Sequence, residues 1–304
     1  MLSGGVGAAR LLAGLIRVRP PEQVTAIVNV GDDVELHGLH VSPDLDTITY
    51  TLAGAIDPER GWGLVDETWH AMDALGRYPG ARAWFNLGDR DLGTHLFRTD
   101  RLQAGLPLSA VTAEITAAWG LTCRLLPVSD DPVRTMVTVE DEGEIGFQEY
   151  FVRRRHDVAV RSVRFAGADD ARPGPGVLDA IGSAASVVIA PSNPIVSIDP
   201  LLAVPGVRDA VVARRDDAVA VSPIVAGAAL KGPADRLLRD LGHESSVVGV
   251  ARLYAPLAAT LVIDEADAGL AGAVEGCGMR CVVAPTIMRG PEEAAALAEV
   301  VLTA

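Results

Sequence analysis

Gly4, Gly5 and Gly7 open the 304-residue chain in SGGVGAARLLAGL, a glycine-rich turn running into a helical pattern. Such a turn lets backbone amides approach an anion, and the helix N-terminus adds unpaired N–H groups and the positive end of its dipole. A phosphate is the natural guest. Gly5 and Gly7 match the first two glycines of the dinucleotide fingerprint, but Arg10 stands at the third position, and the Gly-Lys-Ser/Thr ending of a P-loop is absent. Taken alone, the stretch is also explained by a tight turn that needs small residues for strand–helix packing.

Carboxylates follow at two places. NVGDDVELHG, residues 29 to 38, falls where a second strand should end, so Asn29, Asp32 and Asp33 would share the crevice of the glycine loop. SPDLDTITYTLAG brings Asp44 and Asp46 to the entrance of an apolar helical segment. Asp44 as an N-cap and Asp46 as a first-turn charge would explain them locally. Asp32, Asp33, Asp44 and Asp46 at one phosphate-binding edge would repel one another unless a hard cation such as Mg²⁺ sat among them. Further on, WFNLGDRDLGTHLFRTDR packs Asp89, Arg90, Asp91, His95, Arg98 and Arg101 into thirteen positions. Arginines present forked donors suited to phosphate or carboxylate; any single member could equally belong to a solvated turn. APSNP contributes Ser192 and Asn193, and SPIVAGAALKGP contributes Ser222 and Lys231, each loop following an apolar run.

The elements that must position these residues read as an α/β chain. Ala8, Leu11, Leu12, Leu15 and Val18 recur at helical spacing until Pro20-Pro21 stops them. VTAIVNV, LTCRLLPV, SVVIA, AVAVS, ATLVID and RCVVA are buried-strand runs, and Pro291 to Leu302 forms a last helix. This predicts a Rossmann-like, doubly wound, mostly parallel sheet. Residues 43 to 120 read as mostly helical, and RTMVTVEDEGEIGFQEYFV reads as a hairpin turning at Asp141-Glu142-Gly143, both as insertions beside the sheet. AGADDARPGPG, residues 166 to 176, is a polar connector and the best internal boundary. Only Met1, Leu2 and Ser3 precede the glycine loop, fewer than the roughly 5 residues of a normal strand. Either the natural start lies upstream or the first strand is stunted.

Composition narrows the class. With 49% apolar residues the chain can bury a sizeable core, and its apolar runs fall short of the roughly 20 residues needed to cross a bilayer. A net charge of −14 disfavours nucleic acid and anionic membranes as partners. Cys123, Cys277 and Cys281 are odd in number and lack metal-ligand spacing, so they read as core thiols. Glycines and Arg10 break up the apolar start, so no signal peptide is read and the expected compartment is the cytoplasm.

Taken together, SGGVGAARLL, NVGDD, SPDLDT, LGDRDL, FQEYFV, APSNP, VSPIVAGAALKGPA and VGVARLY resemble, in order and over essentially the whole chain, the 2-phospho-L-lactate transferase family. Its actinobacterial members are phosphoenolpyruvate transferases. The resemblance implies a step in making the deazaflavin coenzyme F420: a phosphoenolpyruvyl or 2-phospho-L-lactyl group passes from a guanosine diphosphate-linked donor to the ribityl hydroxyl of the deazaflavin Fo, releasing GMP. It implies Mg²⁺ dependence, a homodimer, and a single transferase domain over 1–304 in which 43–165 forms the acceptor side of the cleft. Carried over by position, Gly4, Gly5 and Gly7 would cradle the diphosphate, with Asn29, Ser192, Asn193, Ser222 and Lys231 beside the nucleotide. Asp46, Arg90 and His95 would face the deazaflavin, Asp46 and Arg90 being the catalytic candidates. Asp32, Asp33, Asp44 and Asp46 would be the metal candidates.

Three departures stand out. Val6 occupies a position that is Thr in many members, Ala226 replaces a common Gly, and relatives carry a few more apolar residues before the glycine loop. Two rivals remain. A gluconeogenesis-factor type regulator would have a Gly/Ser-rich turn after Asp33, where this chain has VELHG. A nicotinamide dehydrogenase is disfavoured by Arg10.

Overall fold

Apolar runs of three or four residues, buried on both faces, build the centre of the molecule. The computed structural model describes residues 1–140 and 142–304. Seven parallel strands form one sheet: β1 (Leu2–Ser3), β2 (Thr25–Val28), β3 (Arg124–Pro127), β4 (Val187–Ile189), β5 (Ala218–Val221), β6 (Thr260–Ile263) and β7 (Arg280–Val283). Their order in space is β3-β2-β1-β4-β5-β6-β7. This is the doubly wound order, whose direction of winding reverses between β1 and β4. β4, β5 and β6 are wholly buried runs of mostly apolar residues because helices cover both faces, while the outer strands β3 and β7 are partly exposed.

β1 is stunted yet central. Leu2 pairs with Ile27 on one side and Ile189 on the other, and Ser3 pairs with Val28. Both residues are buried, and the ladder is closed by Ile27 N donating to Met1 O, Asn29 N to Ser3 O and Ala190 N to Leu2 O. Two residues suffice here because each edge already has a longer partner strand.

The chain then turns at once into the helix Gly5–Val18, which ends before Pro20-Pro21. Ala8, Ala9, Leu11, Leu12 and Leu15 form its buried face, which packs against the helices Pro43–Leu52 and Pro291–Thr303. At Gly14 the two backbones nearly touch, and a Cβ there would lie 2.1 Å from the Ala294 carbonyl oxygen.

Two insertions interrupt the alternation. Between β2 and β3 lie the hairpin Val34–Leu36/Leu39–Val41 and the helices Pro43–Leu52, His70–Leu75, Asp91–Gln103 and Leu108–Ala118. Helix was expected over most of 43–120, but 53–69 and 76–90 are mainly irregular. Pro58, Pro79 and left-handed backbone at Gly61 and Gly63 break the pattern there. Between β3 and β4 the expected hairpin pairs Arg134–Val139 with Gly143–Gly146, and Val160–Ala166 adds an unforeseen third antiparallel strand. Of the expected turn, Asp141 lies outside the described residues. FQEYFV does not continue the hairpin: Glu149–Arg153 is a wide helical turn. Its four-residue spacing stacks Phe147 on Phe151, with centroids 5.5 Å apart.

One large buried cluster spans the sheet and its helices, and a small one of Leu36, Val41, Met72 and Leu87 lies under the first insertion. Among the described residues no helix is long and apolar enough to cross a membrane. All three cysteines are free.

The helix contact at Gly14 makes a paired prediction. Gly14→Ala should cost about 3 kcal/mol in chemical denaturation, because backbone must move. Gly93→Ala, in an exposed helical position with nothing within 4 Å of the added carbon, should stabilise by about 0.5–1 kcal/mol.

Candidate active site

The loops leaving the carboxyl ends of β1, β2 and β4 converge at the point where the winding reverses, and a cavity of about 680 Å³ opens there. Open α/β sheets hold ligands at that point. One end of the cavity is the glycine loop. Gly7 passes so close to the loop after β4 that a Cβ would lie 2.2 Å from the Pro191 carbonyl oxygen. Ser192 ties the two loops by donating its hydroxyl to Gly4 O at 2.7 Å. Asn193 accepts from Ile195 N with its Oδ1, leaving Nδ2 buried and unpaired. Arg10 and Lys231 line the same end. Arg10 donates to Met288 O at 3.0 Å, and partial burial together with the Arg10 charge lowers the Lys231 ammonium. Among the described residues neither cation has a carboxylate partner. In a chain of net charge −14, two cations without a carboxylate partner beside a helix N-terminus are the arrangement that suits an anion.

The carboxylates meet the loop from below. Asp44 is at the second position of the helix Pro43–Leu52, whose N-cap is Ser42 rather than Asp44. Its Oδ2 accepts from Asn29 Nδ2 at 2.9 Å, and the Gly5 backbone N–H also bonds its carboxyl. Burial pushes Asp44 up to about 7, those two hydrogen bonds pulling back while the Asp33 charge adds to the rise. Asp32 is raised well above the ordinary carboxylate range, by burial first and the Asp44 charge second. Its Oδ1 is buried without a partner.

Two adjacent buried carboxyls, one with an orphaned oxygen, fit a divalent cation. Among the described residues no group of three or more His, Cys, Asp or Glu side chains is arranged to hold a metal. Asp32 and Asp44 would therefore hold an ion together with substrate oxygens, the usual arrangement for Mg²⁺ at phosphates. Asp33 lies outside the cavity lining, its Oδ2 accepting from His40 Nε2 at 2.9 Å and Ser42 Oγ at 2.8 Å while its Oδ1 is buried without a partner.

Asp46 belongs to a different cluster. Arg98, 1% exposed, grips both its oxygens: Nη1 reaches Oδ2 at 3.2 Å and Nη2 bonds Oδ1. Burial pushes Asp46 up, while Arg98 and then His95 pull it back. His95 Nε2 lies 3.3 Å from Asp91 Oδ2, and Tyr50 donates to Asp91 Oδ1 at 2.6 Å. Burial acts to raise Asp91, but the His95 bond and charge and the Tyr50 bond outweigh it, so the group lies below its ordinary value.

Aromatic rings complete the lining. Of four tryptophans and five phenylalanines in the chain, Trp62, Trp84, Phe85, Phe147 and Phe151 line this cavity, surface suited to a flat ring system. Arg60, clasped between Trp62 and Trp69 at 5.4 and 5.3 Å, fixes the strap that carries Trp62. The strap reaches the anion end: a Cβ on Gly61 would lie 2.7 Å from Lys231 Nζ.

Of the residues singled out in the sequence, the structure brings Gly4, Gly5, Gly7, Asp32, Asp44, Asp46, His95, Ser192, Asn193, Ser222 and Lys231 to the cavity lining. Asn29, Asp33 and Arg90 lie outside it. Asn29 is a buried bracket beneath Asp44, and its Oδ1 also accepts from Gly31 N at 2.7 Å. Arg90 is exposed and donates to Val65 O. Its neighbours in LGDRD are structural as well. Gly88 lets the Glu67 carboxyl approach, Glu67 accepts from Arg90 N and Asp91 N, and Asp89 accepts from His70 N and Ala71 N. Sequence reading overlooked Arg10 and Tyr50 as lining residues, and it named Arg98 among arginines suited to phosphate or carboxylate without assigning it to Asp46. A signal for Arg98 existed, since Asp91, His95 and Arg98 lie at i, i+4 and i+7 on one helix face. Ala226, where Gly is common, adopts a left-handed φ of 49° and donates its N–H to Asp267 at 2.9 Å.

A carboxyl whose folded value lies above its unfolded one binds more protons folded than unfolded in the window between them, so stability falls as pH rises through it. For Asp44 that window runs from the ordinary carboxylate range to about 7. The cation-free protein should lose stability from pH 5 to 8, and Asp44→Asn should recover about 1–3 kcal/mol at pH 8. Added Mg²⁺ should raise the Tm more at pH 8 than at pH 5; thermal melts at the two pH values check both.

The family model described as 2-phospho-L-lactate transferase CofD matches residues 1–271. The chain is 47% identical over 302 residues to a phosphoenolpyruvate transferase of Streptomyces griseus, covering 98% of this chain and 95% of that protein. It is 44% identical over 307 residues to the one of Streptomyces coelicolor, covering 100% and 96%, and 43% identical over 313 residues to that of Mycolicibacterium smegmatis, covering 98% and 95%. Among solved structures, a upf0052-family protein of Bacillus halodurans superposes with a TM-score of 0.62 at 18% identity, covering 99% of this chain and 97% of that one, a likeness of fold. On the full-length match to curated relatives and the family model, the chain belongs to the 2-phospho-L-lactate transferase family.

Proposed function

We propose that the protein transfers the phosphoenolpyruvyl or 2-phospho-L-lactyl group from a guanosine diphosphate-linked donor to the ribityl hydroxyl of the deazaflavin Fo. The acceptor oxygen bonds to the phosphorus that carries the three-carbon acid. The bond from that phosphorus to GMP breaks, GMP leaves with the bridging oxygen, and the hydroxyl loses its proton. One observation carries the reading: a single cavity is lined by the glycine loop at a helix N-terminus, by buried carboxylates and by five aromatic rings.

In this reading Gly4, Gly5 and Gly7 offer backbone amides to the diphosphate, and Arg10 and Lys231 offset its charge. Ser192, Asn193 and Ser222 border the nucleotide. Mg²⁺ between Asp32 and Asp44 would neutralise charge developing on the transferred phosphoryl group. Asp46, fixed by Arg98, accepts the hydrogen of the attacking hydroxyl and aligns its oxygen, the positioning that phosphoryl transfer chiefly requires. The aromatic rings seat the deazaflavin ring, and Arg90 contributes by anchoring the turn at Val65. The same reading carries a homodimer working in the cytoplasm, where the three free thiols would persist.

Incubation of the purified protein with Fo, Mg²⁺ and each donor should release GMP, and both donors in one vessel should show which acid is preferred. Nucleotide binding without turnover of either donor would replace the transferase reading with the regulatory one. Asp46→Ala should lower kcat about 100-fold or more. Lys231→Ala should raise the donor KM about 10-fold and move kcat less; an unchanged donor KM would remove Lys231 from the anion site.

A further inference from the structure

Five polar side chains from two helices meet under the cavity in an unbroken chain of contacts. Asp46 and Tyr50 are one turn apart on the helix Pro43–Leu52, and Asp91, His95 and Arg98 follow at i, i+4 and i+7 on the helix Asp91–Gln103. Tyr50 Oη donates to Asp91 Oδ1 at 2.6 Å. Asp91 Oδ2 lies 3.3 Å from His95 Nε2. His95 Nδ1 lies 3.3 Å from Arg98 Nη1, and Arg98 closes on both oxygens of Asp46. Tyr50, His95 and Arg98 are each 1% exposed. The start of the second helix is pinned in turn, since Glu67 Oε1 accepts from Asp91 N at 2.8 Å.

His95 sits between two carboxylates: Nδ1 lies 3.7 Å from Asp46 Oδ2 beside Arg98, and Nε2 faces Asp91 Oδ2 without a well-aligned hydrogen bond. Asp91 therefore bounds the Nε2 side of His95, and Tyr50 selects which Asp91 oxygen is left for His95. Without them the imidazole has no carboxylate on that side, and the Arg98 fork loses the neighbour that holds it in plane with the Asp46 carboxylate. Such outer partners orient the groups that touch substrate and commonly change rates by an order of magnitude or more when removed.

We propose that Asp91 and Tyr50 are positioning residues, which act through His95 and Arg98 to aim the Asp46 carboxylate at the acceptor hydroxyl. This rests on the transfer reading above.

The test is a double-mutant cycle on steady-state transfer, with GMP release as the readout and Fo varied. Tyr50→Phe should lower kcat about 10-fold, and Asp91→Asn about 10- to 100-fold, with the Fo KM within about twofold of wild type. In an Asp46→Asn background, which keeps the shape of the cluster, neither should lower kcat further. That coupling separates positioning from general structural damage, which would act in both backgrounds alike. The isosteric Tyr50→Phe carries the test if Asp91→Asn fails to fold. Equal losses with and without the Asp46 carboxylate, or a raised Fo KM with unchanged kcat, would overturn this assignment alone. Absence of wild-type turnover would overturn the transfer reading and this assignment with it.

Discussion

Buried carboxylates of like charge repel one another and lose their water, and a cavity floored by Asp32, Asp44 and Asp46 must answer for each of them. The chain does so in different ways within one short stretch. Asp33, beside the group, is turned away onto His40 and Ser42. Asp46 receives a whole guanidinium from Arg98, itself buried. Asp44 is held by an amide and by the start of the first helix, and Asp32 is left with an oxygen unsatisfied. The arrangement separates a carboxylate paired with a guanidinium from two that have no cationic partner, and the proposed division of the cavity between a cation and a hydroxyl rests on that asymmetry. The surrounding fold holds the division: the glycine loop, the bracket at Asn29 and the helix bearing Arg98 each bear on one member.

Much of the frame could be read from residue order because parallel strands covered on both faces have no polar edge to confuse the pattern. SVVIA, AVAVS, ATLVID and RCVVA each became a strand of the central sheet. The region from 53 to 90 was harder, for a physical reason. Its order comes from reciprocal caps, Glu67 onto the helix at Asp91 and Asp89 onto the helix at His70. Such contacts join residues about twenty apart and leave no periodic trace. FQEYFV misled for a related reason: its aromatic residues fit a strand equally well, and their stacking in the folded chain selected a helical turn.

The site shows the same split between chemistry that is local and chemistry that is not. The glycine loop, Asp32 and Asp44 lie close together in the chain and were assigned to one crevice from their spacing. Arginine was harder to place. LGDRDLGTHLFR holds two: Arg98, on one helix face with Asp91 and His95, turns inward, while Arg90, just before that helix, stays at the surface. Asn29 was read as facing a nucleotide and instead stands one layer below, where its amide bridges Asp44 and the backbone at Gly31.

The two-residue strand β1 has a consequence for how the chain folds. Leu2 needs Ile27 on one side and Ile189 on the other, and Gly7 takes its place against the carbonyl of Pro191. The glycine loop thus finds its last neighbours only in residues that lie far later in the chain. Such distant pairings form late because closing a long loop costs entropy before any contact rewards it. The glycine loop is therefore among the last parts of the fold to be locked in position, and a chain that ended before Ile189 would leave it without the neighbours that hold it.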